Sequence, residues 1–415
     1  NAYFPLFIPA GLLQREAEHV EGFAPEVAWV TRGGGEELRE PLAIRPTSEV
    51  VIGVMYAKWI QSYRDRPILI NQWANVVRWE KATRPFLRTM EFLWQEGHTA
   101  HATAAEAREE TLKILDLYRE FAENVVAVPV YAGPKSASER FPGAVETFAI
   151  EALMPDGRAL QSGTSHDLGQ NFAKAYDIKF VDSDRAVKHV HTTSWGVSWR
   201  MLGGLIMVHG DDRGLRLPPK MAPLEAVLVP IVRSNDDRAV GVCQRTAERL
   251  SAHGFRVRAD VRDEQPGWKY SEWDMRGVPV RIEIGPRDVD ADSAVLVRRD
   301  RQKGDPEQRR GVALTGIESA LRVTLDEIQS SLFAQAKTFL EQHTFETSDR
   351  GEFFELCRDR AGMVDIAWCS RPECEAHVKA ATTATSRVLR PLENGGACTA
   401  CGEPARVRAY FAQSY

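Results

Sequence analysis

Long apolar runs are scarce in this chain. None approaches the about 20 residues that a membrane-spanning helix needs; residues 201–208 come nearest and are short and glycine-interrupted. A basic-then-apolar leader is lacking as well, so no signal peptide is visible. The sequence begins at Asn1 inside what reads as a core strand, and we expect upstream residues to be missing. Charge of one sign is not in excess: 53 Lys and Arg stand against 58 Asp and Glu, a net of -5. That balance argues against a globally basic nucleic-acid binder but leaves room for a local phosphate-binding patch. Cysteine is too sparse for a disulfide scaffold, at 6 in 415 residues. Internal repeats and low-complexity tracts do not stand out. What remains is the composition of a soluble, cytoplasmic globular chain of two to four domains.

Charge is instead concentrated in one place. Residues 78–98 read RWEKATRPFLRTMEFLWQEGH and hold Arg78, Arg84, Arg88, Glu80, Glu91 and Glu96. The apolar run 68–77 leads in, and Phe92-Leu93-Trp94 leads out. This predicts strand, long polar turn, strand. A sheet does not need that charge for packing, whereas a nucleoside triphosphate does, because arginines hold phosphates and the anion developing at the reacting phosphorus.

Late in the chain, Cys369-x4-Cys374 and Cys398-x2-Cys401 have the spacing of two knuckles of a tetrahedral structural zinc site. Cys243 and Cys357 read as small buried hydrophobes. His98 and His101 have no adjoining cysteine or third histidine, which makes a second zinc site improbable.

The pattern predicts a mixed unit over 1–217, with a helix over 48–63 capped by Ser48. A helix over 104–125 has Leu112, Leu115, Tyr118 and Phe121 on one side. Short strands are expected near 91–95, 126–131, 146–154, 157–169 and 187–194, then a helix over 198–209. No repeated βαβ unit is evident, so the sheet is expected to be antiparallel. A proline-rich joint at 217–223 is the boundary. The next block alternates strand and helix and predicts a mostly parallel α/β sheet. Its 298–310 loop, with six Lys or Arg against three Asp or Glu, is either a solvated turn or an RNA contact.

The 78–98 segment resembles the arginine-bearing second signature motif of class II aminoacyl-tRNA synthetases. Its RTMEFLWQEGH wording is similar to prolyl-tRNA synthetases. Residues 43–49 (AIRPTSE) resemble that family's proline-binding loop. Residues 161–166 (QSGTSH) and 193–200 (TSWGVSWR) resemble two further active-site stretches. The resemblance spans the chain in the family's order and is closest to the archaeal- and eukaryotic-like branch with a C-terminal zinc domain. It implies an α+β chain: an antiparallel-sheet catalytic domain (1–217), an α/β anticodon-binding domain (223–325) and a small zinc-binding α+β domain (326–415).

It further implies an enzyme that joins L-proline to tRNA(Pro) using ATP and Mg²⁺, with structural Zn²⁺ on the four cysteines. Kinship suggests a homodimer, although the long first-motif helix is absent from these residues. Glu49, Thr47 and His166 form the polar set expected for proline, His98 supports the pocket, and Trp94, Phe148 and Trp195 are candidates for its aromatic slot. Arg78 is placed to bridge the amino-acid carboxylate and the α-phosphate. Glu80, Arg88 and Thr89 are assigned to base and triphosphate. Gln161 and Thr164 go to ribose, phosphate or the Mg²⁺ shell, with Ser198 and Arg200 beside the nucleotide. Lys269, Glu272, Arg276 and Glu283 are candidates for reading the anticodon. The tail resembles relatives whose terminal tyrosine reaches back toward the catalytic domain. The loop 209–214 (HGDDRG) is read as an ordering turn. No editing-sized insertion separates Arg88 from Gln161.

Overall fold

The computed structural model describes residues 1–13, 27–232 and 236–415. They fall into two compact units, one of Asn1–Glu120, Val130–Gly204 and Gln342–Tyr415, the other of Phe121–Pro129 and Leu205–Glu341. The expected boundaries at 217 and 326 therefore differ from the compact bodies. Residues 342–415 fold together with residues 1–120 and 130–204, while residues 205–217 and most of the Ile317–Gln342 helix go with the second unit.

In the first unit, six strands form one antiparallel sheet in the spatial order Ile68–Val77, Glu91–His101, His191–Ser198, Ala159–Gly169, Glu146–Leu153, Tyr131–Pro134. Alternation sets its two faces. In the first strand Gln72, Ala74 and Val76 are buried while Leu69 and Trp73 are exposed. The helix Ala104–Glu120 packs across the sheet through Ala107, Thr111, Ile114, Leu115 and Tyr118. It gives way to a π turn at Phe121–Val125, and Leu112 faces solvent.

Three expectations are corrected here. The second strand runs on to His101; its Gln95–His101 half is too polar to read as buried strand, yet from Glu96 onward it is buried. Residues 126–130 are buried without forming a strand, and the ladder begins at Tyr131. The first helix spans Glu49–Trp59, shorter than expected. Ser48 holds its N-cap position but makes no side-chain cap bond; its hydroxyl donates to Glu96 Oε1 at 2.5 Å.

The C-terminal part of this unit is a four-stranded sheet, ordered Thr344–Glu346, Met363–Trp368, Val407–Ala412, Thr385–Pro391, with helices Arg350–Asp359 and Pro372–Thr382. It docks on the Tyr131–Pro134 edge, where Tyr131 stacks on Tyr410 with centroids 4.1 Å apart. Behind that contact Glu151 takes Lys135 at 3.0 Å and Arg387 at 2.9 Å, all three side chains buried.

The second unit carries a five-stranded sheet, ordered Val257–Ala259, Ala226–Pro230, Val280–Ile284, Ser293–Arg298, Arg309–Ala313. Its first three strands are parallel, as read. The last two pairings are antiparallel, because the 285–292 link is too short for a parallel crossover. The helices Arg238–Ala252 and Ile317–Gln342 bury the apolar sides that build the core of this unit. No helix among the described residues is long and apolar enough to cross a membrane.

Candidate active site

One cavity of ≈ 340 Å³ opens on the face of the six-stranded sheet away from the Ala104–Glu120 helix. Side chains of the same parity on adjacent strands share that face. Even positions on Glu91–His101 therefore place Phe92, Trp94, Glu96 and His98 along it. Thr47, Glu49, Arg78, Glu80, Arg88, Thr89, Gln161, Thr164, His166, Trp195, Ser198 and Arg200, all expected from sequence, line the same cavity.

At one end the groups are carboxylate, hydroxyl and aromatic. The Thr47 hydroxyl hydrogen-bonds to Glu49, and both are buried. The Glu96 carboxylate organises the wall. Its Oε1 accepts from Ser48 and from Gln72 Nε2, both at 2.5 Å, and its Oε2 faces His98 Nε2 at 3.0 Å. Burial opposes both charges. The hydrogen bond to Glu96 and the fields of Glu49 and Glu96 nonetheless raise the His98 pKa above the ordinary imidazole value, and the same pairing lowers that of Glu96. Gln72 in turn accepts the Phe4 amide at 3.0 Å.

Trp195 borders the cavity, but it pairs with Gly97 and Ser165, the positions that share a face with Phe148, so its indole lies over Gly97 on the side away from the cavity; a Cβ on Gly97 would come within 1.9 Å of the ring. Phe148, expected in the aromatic slot, is a correction: it is buried but lies outside the cavity. Its neighbour Thr147 faces inward, so alternation turns Phe148 to the other side. Phe141 supplies an aromatic wall instead and packs on His166 with centroids 4.7 Å apart.

At the other end the groups are guanidinium. Arg78 Nε donates to the Pro46 carbonyl at 3.0 Å and sits over the Phe92 and Trp94 rings. Burial lowers its pKa, against the opposing fields of Glu49, Glu96 and Glu80. Arg200 donates to the Leu87 carbonyl at 2.8 Å, and its backbone amide donates to Ser198 Oγ at 3.2 Å. Arg88 is paired with Glu80 at 2.7 Å, so an adenine amino group would have to displace or share that contact. Thr89 donates to the Glu91 carbonyl at 2.6 Å. Arg84 and Arg88 bridge each other's backbones across the turn.

The tail docks beside that turn. Ala159 N donates to the Gln413 carbonyl at 2.8 Å, and Arg84 and Arg158 each lie 5.4 Å from the Tyr415 ring centroid.

The four cysteines gather into one group whose sulfurs lie within 4.8 Å of one another; Cys369–Cys401 is 3.6 Å and Cys374–Cys398 is 3.9 Å. Tetrahedral zinc at about 2.3 Å from each sulfur would require sulfur–sulfur edges of about 3.8 Å, so the set fits. Among the described residues no other group of three or more His, Cys, Asp or Glu does so. His98 and His101, three apart on one strand, point to opposite faces. Cys243 and Cys357 are buried thiols whose pKa is pushed up to about 12 by burial.

Two of the anticodon candidates have internal roles in the second unit. Lys269 is buried and donates to the Asp260 carbonyl at 3.0 Å, and Glu283 is buried against Arg281 and Arg309. Glu272 and Arg276 pair at 2.7 Å, with Arg276 on the exposed side. In the basic 298–310 stretch, Arg298, Arg299, Arg301, Arg309 and Arg310 are all in ion pairs. Asp211 of the 209–214 turn holds Arg299 at 2.5 Å.

Sequence reasoning missed Phe86, Leu87, Phe141, Thr147, Ser194 and Trp199 as lining residues. The register of the sheet was the available signal: Thr147 and Ser194 both pair with His166.

An antiparallel sheet with an arginine-bearing hairpin, a third arginine on a following helix and a carboxylate-lined pocket defines the class II aminoacyl-tRNA synthetase core. Residues 29–209 match the family model "tRNA synthetase class II core domain (G, H, P, S and T)", and residues 225–322 match "Anticodon binding domain". Residues 351–415 match "Prolyl-tRNA synthetase, C-terminal". The proline–tRNA ligase of Symbiobacterium thermophilum is 52% identical, over 100% of this chain and 86% of its own length. That of Natranaerobius thermophilus is 53% identical at the same coverage. The crystal structure of prolyl-tRNA synthetase from Cryptosporidium parvum, complexed with halofuginone and AMPPNP, superposes with a TM-score of 0.93 at 39% identity. It covers 100% of this chain and 85% of that one. The chain belongs to the prolyl-tRNA synthetase family, the proline–tRNA ligases of class II.

Proposed function

We propose that the cavity activates L-proline in one step and hands it to tRNA(Pro) in a second. The carrying observation is that one cavity holds a carboxylate-and-aromatic end at Glu49, Thr47 and Phe141 and a guanidinium end at Arg78, Arg88 and Arg200. A rigid secondary ammonium needs the first end; a triphosphate needs the second. The proline carboxylate is already ionised and needs no general base. Its oxygen attacks the α-phosphorus of ATP, and pyrophosphate leaves. The 3′-terminal hydroxyl of the tRNA then attacks the prolyl carbonyl, and AMP leaves. The protein's part is alignment and neutralisation of charge.

In this reading Arg78 bridges proline carboxylate and α-phosphate, and Arg88 moves from Glu80 to the triphosphate. Glu80 and Thr89 meet the base or its phosphates, and Ser198 and Arg200 close over the nucleotide. Mg²⁺ arrives on the triphosphate and takes few protein ligands; Gln161 and Thr164, both on the cavity wall, offer oxygens to its shell. Zinc on Cys369, Cys374, Cys398 and Cys401 supplies a structural crosslink.

Glu272 and Arg276 remain our candidates for the anticodon. The division into catalytic, anticodon and zinc modules is likewise our reading, as is the cytoplasm as its location. A homodimer through the exposed edge carrying Leu69, Trp73 and Leu93 is supported by their shared face. Sedimentation of the wild type as a monomer would reject it.

Residues 88–161 contain no segment of editing-domain size, and a pocket sized for proline cannot strongly exclude smaller amino acids. The test is ATP–pyrophosphate exchange with each of the twenty amino acids, without tRNA. Exchange with proline, and more weakly with alanine and cysteine, is expected. No exchange with proline from folded protein would overturn the reading, and hydrolysis of alanyl-tRNA by the purified chain would overturn the lack of editing.

A further inference from the structure

A row of polar side chains crosses the floor of the cavity. Ser194 pairs across the sheet with His98 on one side and His166 on the other, and His166 pairs with Thr147. Cross-strand partners share a face, and all four line the cavity. His98 is held by Glu96 at 3.0 Å. Among the described residues no carboxylate pairs with His166, whose side-chain partner is Thr147. Burial of the His166 ring, and then the positive fields of His98 and Arg78, push its pKa down to about 3. It is therefore neutral when the enzyme works, with one ring nitrogen donating and the other accepting. Which is which decides what part of a ligand it can meet.

Hydrogen-bond accounting at Thr147 settles that choice. Its buried hydroxyl accepts the Phe141 amide at 3.0 Å and lies 3.0 Å from His166 Nδ1. The hydroxyl has one proton to place, and among the described residues His166 Nδ1 is its acceptor. With the proton on Nδ1 instead, the hydroxyl hydrogen would be buried without a partner, which folded proteins avoid.

We propose that Thr147 is a positioning residue that locks His166 as the tautomer accepting at Nδ1, so that Nε2–H faces the ligand as a donor. The rest of the inference depends on the proline reading above. The ring nitrogen of L-proline is a protonated secondary amine and offers donors only. Its carboxylate is the acceptor, and becomes the carbonyl of the adenylate. His166 thus meets the carboxylate end, leaving the ammonium to Glu49 and Thr47. This divides the sequence expectation, which gave all three as one polar set for proline.

The test combines ¹⁵N NMR of histidine-labelled protein with exchange kinetics, His166 being assigned by the signal lost in His166→Gln. The wild type should show a pyridine-type Nδ1 and a pyrrole-type Nε2. Thr147→Val should shift the balance toward protonated Nδ1 and raise KM for proline by about tenfold or more. KM for ATP should stay within about twofold. Thr147→Ser, which keeps the hydroxyl, should behave as the wild type in both assays.

A wild-type Nδ1 that carries the proton overturns the tautomer without recourse to any variant. A Thr147→Val enzyme with unchanged proline KM, or with both KM values raised alike, overturns the positioning role. Absence of proline exchange in the wild type, with the tautomer as stated, overturns the proline reading and with it the carboxylate assignment.

Discussion

Glu96 carries more of the site than any motif would suggest. It sits eight residues from the nearest signature arginine, Arg88, and three groups are oriented on it: Ser48, Gln72 and His98. Glu96 is lowered below its ordinary 4.5, so its contribution is full above that value and is lost as pH falls through the folded value. His98 is raised above its ordinary 6.5, so its contribution is full below 6.5 and is lost as pH rises through the folded value. The pair therefore stabilises most between those two pH values. Thermal unfolding midpoints measured against pH should decline on the alkaline side in the wild type and flatten there in Glu96→Gln. An unchanged alkaline slope would show that the pair does not control it.

Gly97 makes the second residue-scale point. With 1.9 Å between a Cβ and the Trp195 ring, Gly97→Ala must displace the indole on the face away from the cavity, and with it the strand whose neighbouring residues Glu96 and His98 line the cavity. We expect loss of proline-dependent exchange by about a hundredfold with the fold retained, since about 1 Å of misplacement has costs of that order. Circular dichroism and exchange rates measured on the same sample check both halves.

Among the elements, the Glu91–His101 strand explains why the sheet was only partly legible. Its first half reads as strand because Phe92 and Trp94 alternate with other residues. Its second half, polar in sequence, is strand because the neighbours at 68–77 and 191–198 satisfy its backbone on both sides. A polar floor is what a cavity for charged substrates requires, so the functional part is where patterning gives the weakest signal. The Arg309–Ala313 strand was missed for a related reason: its two arginines look like a loop until their partners Glu283 and Glu327 are seen.

The element contact between the Glu146–Leu153 strand and the C-terminal module gives a further prediction. Arg387→Met removes one of the two cations on a fully buried Glu151. Breaking a buried pair costs about 3–5 kcal/mol, with Lys135 remaining to hold the cost to the lower end. Urea unfolding should show the loss; a change under about 1 kcal/mol would mean that the network is not stabilising.

For the whole molecule, the four-cysteine module is part of the first compact unit, and its strand edge and terminal tyrosine lie against the sheet that carries the cavity. Elemental analysis should find one zinc per chain. Chelation should lower the unfolding temperature markedly, because metal binding to a thiolate quartet is folding free energy. At a temperature where the stripped chain remains folded, proline-dependent exchange should persist. Its loss there would give the metal more than a crosslinking role.

The sequence by itself determined the chemical groups: Arg78 and Arg88 in one stretch and Arg200 in another, Thr47 with Glu49, His166 and four cysteines. These residue types are constrained by what they bind, and their identities are visible in one dimension. Only the tertiary structure decided which of them face one another. Strand register turned Thr147 inward and Phe148 away, set Gly97 under Trp195 and buried Glu283, while the packing of the Pro266–Met275 helix buried Lys269 inside the second unit. It also folded the tail into the catalytic body. Those outcomes depend on pairings between residues far apart in the chain, where a shift of one position would exchange every inward and outward side chain.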